Sequence, residues 1–153
     1  MAKENRAAAR LNAVQALYQM ELSGKGLGET CAEFENHWIG GEIEGDIYVP
    51  AELDLFRNIV KGVLGEQGPL DRQIDDTLQD GWPLRRVEAV LRAVLRAGAY
   101  ELKKRADIPA RVVIKEYVDV AAAFLARDEV GMANAVLDRL AHLFRPDEFK
   151  KQA

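Results

Sequence analysis

A chain of 153 residues with 48% hydrophobic and 30% charged side chains buries roughly 68–70% of its unfolded surface in one domain, which excludes disorder of the chain as a whole. No apolar run approaches the ~20 residues that cross a bilayer, and the opening MAKENRAAAR lacks a secretory apolar stretch, so the expected location is the cytoplasm, away from membranes. The single cysteine, Cys31, excludes an internal disulfide and a thiolate metal cage, and the net charge of −4 is split unevenly: residues 1–25 carry +2, residues 26–82 carry −10 and residues 83–153 carry +4.

The first predicted element is a helix from roughly Asn5 to Ser23, with an apolar stripe of Leu11, Val14, Leu17, Tyr18 and Leu22. At about 100° per residue, Lys3, Arg6 and Arg10 continue the line of Val14 and Leu17, so the stripe turns cationic toward its start. Cations there oppose the helix dipole, which fits either an anionic partner or a frayed, solvated terminus, and in both cases side chains that stay out of the core. Gly24-Lys25-Gly26-Leu27-Gly28 reads as a flexible connection, Glu29 to Trp38 as a short helix, and Gly40 to Pro50 as a loop.

From Ala51 the positions Leu53, Phe56, Val60 and Val63 or Leu64 give a second apolar face. It resumes at Leu70, Ile74 and Leu78 beyond an expected irregularity at Gly65 to Pro69, and Gly81-Trp82-Pro83 ends it. The next helix carries Leu84, Val87, Leu91, Val94, Leu95, Gly98 and Leu102 and stops near Asp107. Pro109 then suits the first turn of a helix faced by Val113, Tyr117, Val120, Ala121 and Phe124. Asp128 and Glu129 lie where acids favour a helix start, and Val130, Ala133, Val136, Leu137, Leu140 and Phe144 complete the last helix before Pro146. No strand or internal repeat is read, so the fold class is all-α.

Enzymatic chemistry lacks its parts. Ser23 is the only serine, and His37 and His142 have no partner at triad or metal spacing. The glycines at 24–28 follow a helix, not a strand, and match neither a phosphate loop nor a dinucleotide fingerprint. No cofactor and no metal is therefore expected. A basic strip of Arg85, Arg92, Arg96 and Lys103, extended by Lys104, Arg105 and Arg111, fits either a helix C-terminal dipole or a phosphate backbone. Tyr18, Tyr100 and Tyr117 fit either core packing or stacking on unpaired bases.

Four ordered blocks are more specific. They are Arg6-x-x-x-Arg10-x-x-Ala13-Val14-Gln15-Ala16-Leu17-Tyr18, then Val94-Leu95-Arg96-Ala97-Gly98-Ala99-Tyr100-Glu101-Leu102, then Asp107-Ile108-Pro109 with Val113-Ile114-Lys115-Glu116-Tyr117-Val118, and Asn134-Ala135-Val136-Leu137-Asp138. Their order and spacing resemble the NusB family of bacterial transcription antitermination factors along nearly the whole chain. The resemblance implies about seven helices in one domain spanning 1–153, packed as two helical subdomains over approximately 1–80 and 83–146. It also implies no catalytic activity. The implied partners are the small ribosomal protein NusE and the boxA element of nascent ribosomal RNA, within a complex that helps RNA polymerase pass terminators. Family members are monomers or homodimers, and both states stay open.

Residue by residue, the resemblance implies RNA binding by Lys3, Arg6 and Arg10, with Tyr18 on the same helix and Asp128 at the start of the last helix. Met132 stands where relatives often place an aromatic, Lys115 replaces the more usual Asn, and Ala135 replaces the more usual Gly. Glu88 matches a NusE-interface acid. Arg96, Tyr100, Glu101 and Asp138 match strong family positions that helix anchoring explains as well as binding does. Two alternatives remain open: an RNA-targeting module related to the front of ribosomal RNA cytosine methyltransferases, and a helical adaptor that binds protein alone.

Overall fold

The computed structural model describes residues 2–24, 50–78 and 87–150, with side chains from residue 6 and, in the second segment, from residue 53. The expected helix at Glu29–Trp38, the glycine-rich connection beyond Gly24 and the Gly81-Trp82-Pro83 boundary lie outside the described residues. Six helices and no strand occur among those described: α1 Ala2–Ser23, α2 Pro50–Thr77, α3 Ala89–Lys104, α4 Ala110–Phe124, α5 Arg127–Phe144 and the single turn α6 Pro146–Phe149.

The alanine-rich start of α1 favours helix, and the helix ends where Gly24 adopts a φ of 74° and returns its N–H to Met20 O at 3.0 Å. The expected irregularity at Gly65 to Pro69 is absent, because α2 runs through Pro69 without a break. Pro69 withholds one hydrogen bond from the Gly65 carbonyl, and Gly65, Gly68 and Pro69 all face solvent, where water can replace that bond. On the opposite side Phe56, Ile59, Val60, Val63, Leu70 and Ile74 are fully buried and hold one continuous register. The breaker rule is outweighed by burial of the other face.

Helix α3 is the centre of the molecule, packed against α1, α2, α4 and α5. Small residues on α3 and on its neighbour α2 permit this on several sides at once. A Cβ on Gly62 of α2 would lie 2.1 Å from the Tyr100 ring of α3, and a Cβ on Gly98 of α3 would lie 2.7 Å from Leu137 of α5. The α3 C-terminus closes through Arg105 N–H to Glu101 O at 2.9 Å.

Pro109 caps α4 from the position before its first turn, and α5 begins with Asp128 and Glu129 in its first turn as the sequence predicts. Glu129 also reaches back to accept from Ala126 N–H at 3.2 Å, which satisfies a terminal donor. Val113, Tyr117, Val120 and Ala121 of α4 and Ala133, Val136, Leu137 and Leu140 of α5 are buried as expected. Phe124, 43% exposed at the last turn of α4, and Leu22 of the α1 stripe, 61% exposed near its end, are the exceptions. One continuous hydrophobic cluster takes buried residues from α1 to α5, so positions on both sides of residue 80 share it.

Candidate nucleic-acid interface

Helices α1 and α3 run antiparallel, and charged pairs fix their register. Near the end of α1, Glu21 accepts from Arg92 at 2.9 Å and from Arg96 at 3.3 Å. Burial raises the Glu21 pKa, but these two guanidinium groups outweigh it and hold the carboxyl below its ordinary value. Two turns from the start of α1, Arg10 meets Glu101 in a bidentate pair of 2.8 and 3.0 Å. Partner numbers therefore rise on α3 as α1 is followed back toward its beginning.

Arg10 overturns the expectation that its side chain stays out of the core. It is 2% exposed, and Glu101 is fully buried. The guanidinium also donates to Glu116 of α4 at 3.2 Å, and the buried Tyr117 hydroxyl donates to the Glu101 carboxylate. Burial opposes the Arg10 charge, yet its two carboxylates raise its affinity for the proton above the ordinary arginine value. Burial and the neighbouring Glu101 carboxylate push the Tyr117 phenol well up, so it remains a donor. Arg10 is committed to this cluster and offers no guanidinium edge to a phosphate; it lies on the apolar line because it is part of the core.

The basic strip of α3 is corrected in the same way. Arg96 donates to Asp71 of α2 at 2.8 and 3.0 Å as well as to Glu21, and Lys103 approaches Glu66 and Gln73. Arg92 adds a bond to the Val87 carbonyl. These cations join α3 to Glu21 of α1 and to the acidic middle of the chain, so they do not form a phosphate path, and Arg85 lies outside the described residues.

Among the other predicted site residues, Arg6 is exposed and the Lys3 side chain lies outside those described. Tyr18 and Met132 are half-buried against the core, whereas Asp128 is exposed at the start of α5. Glu88 is exposed at the N-cap of α3, where its carboxylate accepts from Val90 N–H at 3.3 Å. Tyr117 is fully buried and Tyr100 nearly so, which removes both as stacking faces.

Two features have partners that the sequence pattern does not show. Arg145, after the last long helix, is buried and donates to the carbonyls of Glu101, Leu102, Arg105 and Ile108, and to Glu148. Arg105 donates to Asp107 through two bonds of 3.1 Å and to Asn58 of α2 at 3.1 Å. The first lacks a periodic partner pattern; the second was read only as the tail of a basic strip.

A sequence profile described as the NusB family matches residues 7–142. The chain belongs to the NusB family. It is 64% identical over 146 residues to the transcription antitermination protein NusB of Rhodopseudomonas palustris strain HaA2, covering 95% of this chain and 86% of that one. It is 61% identical over 146 residues to the same-named protein of Nitrobacter hamburgensis, covering 95% and 91%. Among solved structures it is similar to T. maritima NusB, with a TM-score of 0.80 at 27% identity over 95% of this chain and 96% of that chain. Its fold also matches a chain in a crystal structure of the antitermination factors NusB and NusE with double-stranded RNA, with a TM-score of 0.74 at 22% identity over 92% and 98% of the two chains. The all-α NusB fold read from the motif blocks is therefore borne out. Three of those blocks supply Arg10, Glu101 and Tyr117, which meet in one buried cluster.

Proposed function

We propose that this protein is a transcription antitermination factor that binds boxA RNA in nascent ribosomal RNA together with ribosomal protein NusE, and so helps RNA polymerase read through terminators. It acts in the cytoplasm by binding alone, without a catalytic step. The observation that carries the reading is the 64% identity, over 95% of this chain, to a curated antitermination relative. The fold match to a NusB chain solved with NusE and RNA supports both partners. No described helix is long and apolar enough to cross a membrane, which is compatible with this role.

In this reading Lys3 and Arg6 supply phosphate contacts from the first turns of α1, while Arg10 fixes the helix that carries them. Asp128 and Met132 at the start of α5, with Tyr18 of α1, complete the RNA-binding set. Phosphate contacts give affinity and salt dependence, and sequence preference comes from bases reached by other groups or by NusE. The test compares boxA RNA with a scrambled RNA, with and without purified NusE. Arg6→Gln should weaken both RNAs by similar factors and flatten the log-affinity against log-salt slope by roughly one unit. An unchanged slope would remove the arm from the RNA path, and failure of wild type to prefer boxA in the presence of NusE would defeat the reading.

The NusE surface lies around Glu88 and the acidic middle of the chain. Truncating a buried interfacial charge pair costs about 2–5 kcal/mol, or roughly 30-fold or more in affinity. Glu88→Lys should weaken NusE binding by that order while the helical circular dichroism spectrum is retained, with about 1 kcal/mol of stability lost with the cap. Equal affinity of mutant and wild type would place the interface elsewhere.

A further inference from the structure

The register of α1 on α3 extends beyond its last ion pair. Glu21 lies against Arg92 and Arg10 against Glu101, so one further turn of α1 brings Arg6 alongside the turn that follows α3, at residues 105–107. In that turn Arg105 presents its guanidinium fork to Asp107, with both carboxylate oxygens engaged, and is steadied from behind by Asn58. Arg105 is 29% exposed and Asp107 64% exposed, so the pair lies open to solvent. The Asp107 carboxyl is held below its ordinary value first by the hydrogen bond from Arg105 and, more weakly, by the charge of Arg6.

We propose that Arg6 and Arg105 form a two-arginine site for an RNA phosphodiester, with Asp107 as an internal competitor that occupies the Arg105 fork until phosphate displaces it. The proposal rests on the RNA-binding reading above and adds a residue and a regulating carboxylate to it. A phosphodiester offers two anionic oxygens with the spacing and charge distribution that the fork already accepts from a carboxylate. Asp107 is attached to a short exposed turn and gains full hydration when it leaves. Arg105 keeps Asn58 and the α3 terminus as its anchors, so the exchange moves the acid and leaves the base in place. Two arginines near one carboxylate carry a net positive charge in the free protein, and removing that carboxylate should deepen the attraction for RNA.

The full chain, with and without purified NusE, is titrated with a boxA oligonucleotide and a scrambled one over a series of salt concentrations. Asp107→Asn should tighten both RNAs by about three- to tenfold and steepen the log–log salt slope by roughly one unit, because an internal counter-charge has been deleted. Arg105→Gln should weaken both and flatten the slope by a similar amount. The double variant should lose the gain of Asp107→Asn. Arg105→Lys, which keeps the charge without the fork, should fall between wild type and Arg105→Gln and covers the case in which Arg105→Gln fails to fold. A merely structural staple predicts the opposite pattern for Asp107→Asn: lower thermal stability, with RNA affinity and salt slope unchanged. That outcome overturns the proposal. If Arg6→Gln weakens RNA while Asp107→Asn and both Arg105 variants leave it unchanged, this inference alone fails. If Arg6→Gln has no effect either, the RNA-binding arm fails with it.

Discussion

Arg10→Ala is expected to destabilise the protein by about 3–5 kcal/mol, the range for breaking a buried ion pair by removing one partner. The fully buried Glu101 carboxylate would keep only the Tyr117 hydroxyl, and Glu116 would lose its link to α1. Arg10→Lys should recover little, since an ammonium cannot reproduce the paired bonds of 2.8 and 3.0 Å to the two Glu101 oxygens. Arg6→Ala provides the contrast: its side chain is exposed, so its effect on stability should stay within about 0.5 kcal/mol. Urea unfolding followed by far-ultraviolet circular dichroism measures all three. Equal stability of Arg10→Ala and wild type would mean that the cluster contributes nothing net to the fold. Arg10 variants are therefore unsuitable as tests of phosphate contact, because RNA binding would fall with the folded population.

The second large effect is expected from Arg145→Ala, which leaves the carbonyls of Leu102 and Ile108 without their donor and those of Glu101 and Arg105 with a backbone N–H alone. The last carbonyls of a helix have no intrahelical partner, and here one side chain from beyond α5 reaches two of those of α3, Glu101 and Leu102, and two in the turn that follows. With about 1–3 kcal/mol for each buried group left unpaired and partial rescue by water, a loss of about 3 kcal/mol in chemical denaturation is expected. The pH dependence should change as well. Glu148 is held below its ordinary pKa first by the Ala110 N–H and then by Arg145. A depressed carboxylate contributes stability that is complete above its unfolded-state pKa and is lost as pH falls through the folded one. Wild type should therefore lose stability on acidification in that window, and Arg145→Ala should lose less of it, retaining only the share due to Ala110. Identical acid limbs for the two proteins would show that Arg145 does not act through Glu148.

The sequence made the helical faces legible because burial imposes a period. Val113, Tyr117, Val120 and Ala121, or Ala133, Val136, Leu137 and Leu140, can be placed on the core side of a helix without knowing what they touch. Pro69 was misread because a breaker's cost depends on whether its face is wet, a tertiary property that local rules do not carry. Arg10 was misread for a related reason. Its place on the apolar line was visible, but its partner Glu101 stands 91 residues away, and a cation on an apolar stripe looks the same whether it meets RNA or a buried acid. The α3 strip posed the same ambiguity, since its regular spacing reflects alignment with Glu21, Asp71 and Glu66 of neighbouring helices. Arg145 had no periodicity to betray it. The motif blocks captured the fold better than the site because several of their most recognisable residues are core residues.

Among the described side chains, every ion pair that fixes α1 begins at Arg10 or further along, whereas Arg6 and Ala7 face solvent. The helix is thus divided between a part that selection must preserve for folding and a leading part that it can alter freely. Cations can be gained or lost at the leading positions over evolutionary time with almost no penalty in stability. On the proposed function, affinity for RNA can then be tuned by single substitutions there, while the core that holds α1 stays unchanged.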